Sequence, residues 1–86
     1  MFGGVNFMDR ISEVQKKLII DMHNLNFFLV TDGEIGWLED GVGSKIKKIN
    51  IRTIKAMAKN DLIKTINRSS NLRKYGLSNT SLSLFN

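Results

Sequence analysis

Apolar residues recur every three or four positions near the start of the chain, and this spacing predicts a first helix from Asp9 to about Asn24. Either Asp9 or Ser12 can cap its start, because both side chains can accept a hydrogen bond from a backbone amide of the first turn. A helix with one apolar stripe packs that stripe against a core. The stripe would consist of Ile11, Val14, Leu18, Met22 and Leu25.

Two short β-prone runs follow, residues 27–31 and 34–38, and they predict a β-hairpin. Asp32-Gly33 lies between them and is a typical hairpin turn. Phe27 and Phe28 are adjacent, so their side chains would point to opposite faces of the sheet. One of the two is therefore a candidate contact with a second copy of the chain or with a partner protein. Residues 39–44 predict a loop.

A second helix is predicted from Ile51 to about Asn60, with Asn50 as its N-cap. Helical spacing separates its apolar residues from its basic ones. The apolar face would carry Ile51, Ile54, Met57 and Ala58, and the basic face Arg52, Lys55 and Lys59. Residues 62–66 and 72–77 predict two more strands joined by a polar loop. The last residues, 81–86, fit either a short edge strand or a docked end.

These elements predict a single α+β domain of residues 9–86, in the order α-β-β-α-β-β, preceded by a flexible N-terminal arm of residues 1–8. A chain of 86 residues can bury one modest core. It contains no cysteine, which excludes disulfides and thiolate metal sites. No apolar run approaches the roughly 20 residues of a membrane span, so we expect a cytoplasmic protein without membrane contact.

Charge is divided unequally between the two halves of the chain. Residues 1–44 carry three basic and seven acidic side chains, whereas residues 45–86 carry ten basic side chains and one acidic side chain, Asp61. Such asymmetry indicates a polyanionic partner, most often nucleic acid. For each basic residue taken alone, a solvated surface position is an equally good interpretation.

Residues 50–63, which read NIRTIKAMAKNDLI, are followed by a polar stretch and by Tyr75-Gly76-Leu77. This succession resembles the recognition helix and wing of small winged helix-turn-helix DNA-binding proteins, many of them from phages and other mobile elements. The resemblance covers about residues 50–77 and, more weakly, the first helix. Residues 39–49 depart from that family, because they contain too many glycines for the helix that should precede the recognition helix. We therefore expect a winged-helix-like domain with a reduced or missing second helix.

The resemblance implies contacts with double-stranded DNA. A recognition helix enters the major groove and reads base edges near its N-terminus. The implied base readers are Asn50, Arg52, Thr53 and Ala56, and Arg52 is the best of them because its guanidinium can bind guanine O6 and N7 together. The implied phosphate and wing contacts are Lys55, Lys59, Lys45, Lys47, Lys48, Lys64, Arg68, Arg73 and Lys74, with Arg68 entering a minor groove.

We therefore predict a DNA-binding regulator of transcription or replication, nucleoid-associated if it binds DNA. The composition, rich in lysine, asparagine and isoleucine and free of proline, suggests a phage or mobile element with an AT-rich genome. The alternative is an interaction module that modulates a host or partner protein through Phe28, Trp37 or the acidic turn; a homodimer is also left open. His23 is the single histidine, and no residue set predicts catalysis, a metal or a cofactor.

Overall fold

The structure is a computed structural model that describes residues 11–69 and 71–85; the predicted arm, residues 1–8, lies outside the described residues. The elements are α1 (Glu13–Leu25), β1 (Phe28–Thr31), β2 (Gly36–Glu39), β3 (Lys45–Ile49), α2 (Ile51–Lys59), β4 (Ile63–Arg68), β5 (Arg73–Leu77), α3 (Asn79–Leu82) and a 3₁₀ helix (Ser83–Phe85). The predicted α+β class is confirmed.

Within the described residues, the five strands form one antiparallel sheet in the order β3-β2-β1-β5-β4. β1 is central: its Leu29 pairs with Leu38 of β2 and with Tyr75 of β5. These three side chains belong to a core that also contains Leu18 of α1 and Ile54 of α2, so the helices cover this face of the sheet. β3 and β4 are the two edge strands.

The segment from Lys45 to Ile49 is the main departure from the predicted order. It forms β3, which pairs with β2 from Glu39 to Gly36, and a single residue, Asn50, then connects it to α2. This strand occupies the position at which winged helix-turn-helix proteins have a helix. Sequence analysis missed it because four of its five residues are exposed, so the period-two alternation of a half-buried strand is absent.

The C-terminal segment is the second departure. The edge strand considered for residues 81–86 is wrong, because the chain forms α3 and a 3₁₀ helix up to Phe85. Ser78 caps α3, and the buried Ser81 hydroxyl donates to the Leu62 carbonyl over 2.6 Å. Leu84 and Phe85 pack against the core. This end is therefore docked, as the second of the two predictions had it.

The predicted caps of the two longer helices are confirmed where they are described. The Ser12 hydroxyl accepts from Gln15 N over 3.2 Å, and the Asn50 carboxamide accepts from Arg52 N over 2.8 Å. The apolar stripe of α1 is narrower than predicted, since Val14 and Leu25 are 61% and 55% exposed. The buried residues within the helix are Leu18, Ile19 and Met22, so Ile19, which was not in the predicted stripe, also belongs to the buried face.

The boundaries of the β1–β2 and β4–β5 connections also differ from the predicted ones. The connection between β1 and β2 spans residues 32–35 rather than Asp32-Gly33 alone, and Asp32 N donates to Ile35 O over 3.3 Å. β4 continues to Arg68, so the loop between β4 and β5 is shorter than the predicted residues 67–71.

Candidate functional site

The strand register brings three predicted features to one end of the sheet. Thr31 pairs with Gly36 and Arg73, Gly36 also pairs with Ile49, and Arg73 pairs with Arg68. The β1–β2 turn, the β4–β5 turn and the start of α2 therefore lie together. We call this the turn end of the sheet.

A groove of about 310 Å³ opens at the turn end, between α2 and the β4–β5 hairpin. Three basic residues line it, Lys55 from α2 and Arg68 and Arg73 from the hairpin. Its apolar lining consists of Ile51, Ile54, Leu72 and Tyr75. Residues from separate parts of the chain thus form one cationic site, which we call the turn-end groove.

Arg68 and Arg73 lie directly opposite each other in the β4–β5 ladder. Like charges in such a pair destabilise a sheet. Arg73 donates to the Tyr75 hydroxyl over 3.5 Å, a neutral partner that does not balance the charge. Among the described residues, no carboxylate oxygen lies within 4.0 Å of either guanidinium. A bound anion would relieve the repulsion between these two arginines.

Alternation along β5 decides which of its basic residues reaches the groove. Arg73 is two residues from Tyr75, so both side chains lie on the face that packs against the helices. Lys74 lies on the opposite face, where its ammonium is 3.3 Å from Glu39 Oε1 and 4.7 Å from the Phe28 ring centroid. The predicted contact at Lys74 is thus held in an ion pair away from the groove.

The predicted base readers at the start of α2 differ in how far their side chains are exposed to solvent. Arg52 is exposed, as are Lys55 and Lys59 on the same side of the helix. Thr53 and Ala56 are only partly exposed. Asn50 uses its side-chain oxygen to cap the helix, so its first role is structural.

The remaining predicted contacts lie outside the turn-end groove. Lys45, Lys47 and Lys48 are exposed on the edge strand β3, and the Lys45 ammonium lies 4.1 Å from the Trp37 ring centroid. Lys64 pairs with Gly76 near the start of the other edge strand, β4. Lysines on edge strands also prevent pairing with other chains, so these positions have a structural explanation.

Asp32 also lines the turn-end groove, whereas sequence analysis took it as a turn residue or as part of an acidic contact with a partner protein. Its Oδ1 accepts from the backbone amides of Ile35 and Glu34, each over 2.9 Å. These two hydrogen bonds, with that from Ile35 the larger effect, hold the pKa of Asp32 below its ordinary value. The carboxylate is therefore ionised at neutral pH. The Asp-Gly pair signals a turn, but its place beside the groove depends on the register of the whole sheet.

Within residues 11–69 and 71–85, no group of three or more histidine, cysteine, aspartate or glutamate side chains is placed to hold a metal ion. None of the helices described is both long and apolar enough to cross a membrane.

The chain matches no protein-family model, no curated protein and no solved structure. Its function is therefore inferred from its own residues and their arrangement.

Proposed function

We propose that the protein binds double-stranded DNA through the turn end of its sheet. The observation that carries this proposal is the turn-end groove, where Lys55, Arg68 and Arg73 converge. The two arginines face each other there, and neither has a carboxylate partner among residues 11–69 and 71–85. DNA presents closely spaced phosphates, which are the anions best suited to relieve several neighbouring positive charges at once.

α2 and the β4–β5 hairpin, the two elements that border the groove, could contact one DNA duplex together. α2 exposes Arg52 in its first turn and Lys55 one turn later, and residues near the start of a helix are those that reach base edges in a major groove. The β4–β5 hairpin lies next to it and would contact the adjacent backbone or minor groove. The resemblance of residues 50–77 to a recognition helix and wing supports the same placement.

The domain would be a variant of the winged-helix type, with β3 in place of the helix before α2. A small DNA-binding domain of this kind suits a regulator of transcription or replication, and we propose that role.

Fluorescence anisotropy with a labelled random-sequence duplex of about 20 base pairs tests DNA binding, at salt concentrations from about 50 to about 300 mM. We expect affinity to fall steeply with salt, with log K decreasing by about 0.9 per unit of log salt for each phosphate contact. The absence of binding at the lowest salt concentration would refute the proposal.

A pair of variants locates the contact. Arg68→Gln with Arg73→Gln removes two charges from the turn-end groove, and Lys16→Gln with Lys17→Gln removes two charges from α1. The α1 lysines pair with Glu13 and Asp21 of their own helix, and because such pairs within a helix contribute only about 0.3–0.5 kcal/mol each, their loss costs little stability. We expect the groove variant to reduce the salt slope by about 2 units, and the α1 variant to leave it unchanged. Equal effects would mean that binding follows net charge alone.

The alternative of a protein-interaction module has less support. Trp37 is 7% exposed, and Phe28 lies beneath the Lys74 ammonium, so neither aromatic ring offers a broad contact surface. If the wild-type protein does not bind DNA, this alternative is the next one to test.

A further inference from the structure

The turn-end groove has walls of opposite charge. Asp32, from the β1–β2 turn, lines the same groove as Lys55, Arg68 and Arg73. A carboxylate repels phosphate, so a groove that held only the DNA backbone would bind more tightly without it. A ligand that offers a hydrogen-bond donor next to its anionic groups would match both the carboxylate and the basic side chains of the groove.

The Asp32 carboxylate is held in place before any ligand arrives. Besides the two amides that donate to Oδ1, the Thr31 hydroxyl donates to Ile35 O over 2.6 Å and accepts from Gly33 N over 2.9 Å. Gly33 has a φ of 99°, a conformation that favours glycine. Such a rigid turn loses little entropy when a partner binds, which favours selective recognition.

A carboxylate can only accept hydrogen bonds, and this limits what it can recognise in DNA. In the major groove, the donors are the amino groups at cytosine N4 and adenine N6. Adenine carries the N7 acceptor beside its amino group, and this lone pair would repel a carboxylate. Cytosine presents N4 without an acceptor of its own on that edge, so it is the better partner.

We infer that Asp32 reads a cytosine amino group in the major groove while Lys55, Arg68 and Arg73 hold neighbouring phosphates. This inference rests on the proposed DNA binding and adds a base preference to it. Its test separates the two, because preference for a base and affinity for random duplex are measured independently.

The experiment selects bound duplexes from a pool with a randomised central segment, using the wild type, Asp32→Asn and Glu34→Gln. Asparagine at position 32 keeps an oxygen that can accept the amides of Glu34 and Ile35, so the turn is preserved. Glu34 is an exposed acid of the same turn that does not line the groove, and its variant removes the same charge. Anisotropy on the random duplex is measured in parallel for all three proteins.

We expect the wild type and Glu34→Gln to favour cytosine at one fixed position by about fivefold or more, and Asp32→Asn to lose that preference. On random duplex, Asp32→Asn should bind more tightly than Glu34→Gln, because it removes a negative charge that lines the groove, whereas Glu34 lies outside it. Salt-dependent binding without a cytosine preference, or equal loss of preference in both variants, overturns the inference and leaves the proposed function standing. Absence of all duplex binding overturns both.

Discussion

The two edges of the sheet use the same protective features, yet only one of them borders the turn-end groove. β3 and β4 each contain exposed basic residues and one bulged isoleucine, Ile46 and Ile66, which are 45% and 46% exposed. Lysines and bulges both hinder the pairing of an edge strand with another chain. Edge protection is therefore a sufficient reason for the lysines of β3.

Edge protection does not explain Arg73, one of the two arginines at the tip of the β4–β5 hairpin. β5 is an inner strand, flanked by β1 and β4, so Arg73 guards no edge. It also faces Arg68 directly, an arrangement that weakens the ladder. Edge protection therefore accounts for the basic residues of β3, whereas the Arg68–Arg73 pair has no such explanation, and the proposed DNA contact would supply one.

The strongest test of this difference is Arg68→Glu. It replaces a like-charge pair by an opposite-charge pair with Arg73, so we expect the free energy of unfolding to stay the same or to rise by roughly 0.5 kcal/mol. DNA affinity should fall by about 100-fold, because a negative charge would then face the phosphates. Urea denaturation and anisotropy measure the two effects. A large loss of stability would show that the arginine pair serves the fold.

Neighbouring residues on β5 provide the next test. Arg73→Gln should weaken DNA binding by about fivefold or more, because its side chain lies in the groove. Lys74→Gln should change affinity by less than about twofold, since Lys74 lies on the opposite face. It should instead lower the free energy of unfolding by roughly 0.5 kcal/mol through loss of the partly buried ion pair with Glu39. Equal losses of affinity would contradict the assignment of faces.

A third test concerns β3 itself. Lys47→Gln with Lys48→Gln removes two edge charges and leaves Lys45 in contact with Trp37. We expect self-association at lower protein concentration, measured by sedimentation, because the edge is then less protected. DNA affinity should fall by no more than about threefold, through the reduced net charge alone. A larger loss would place β3 within the DNA interface.

The smallest expected effect concerns acid stability. Asp32 has a lowered pKa in the folded protein, so its ionised form stabilises the fold at pH values above its ordinary 3.8. This contribution is lost as the pH falls through the lowered value. The urea midpoint of the wild type should therefore decrease more between neutral pH and pH values below 3.8 than that of Asp32→Asn. Identical decreases would mean that the amide bonds to Asp32 do not favour its charged form.

Sequence patterns correctly predicted the features that depend on neighbouring residues, namely the faces and the caps of the helices. The faces of α2 followed from helical spacing, and the Ser12 and Asn50 caps from side chains that bond to nearby amides. α3 was missed because a contact that fixes it, from Ser81 to Leu62, joins residues 19 positions apart. The Arg68–Arg73 pairing was equally inaccessible, because it depends on the bulge at Ile66, which shifts the register of β4 by one residue.

The predicted set of basic contact residues does not share one surface in the folded chain. Sequence analysis grouped Lys74 with Arg73 because they are adjacent, whereas the sheet separates them. It also left Asp32 out, because an acid in a turn gives no sign of the cationic groove beside it. Which charges share a surface depends on strand order, and strand order is a property of the folded chain.

The connection between β3 and α2 has a mechanical consequence. Asn50 is the single residue between them, and it is fixed by its cap to the first turn of the helix. Two virtual bonds of about 3.8 Å each are the whole length of this joint, so it has no slack to absorb movement. The end of β3 and the start of α2 are therefore closely connected. A displacement of β3 at this end would be transmitted to the first turns of α2, which carry Arg52 and Lys55.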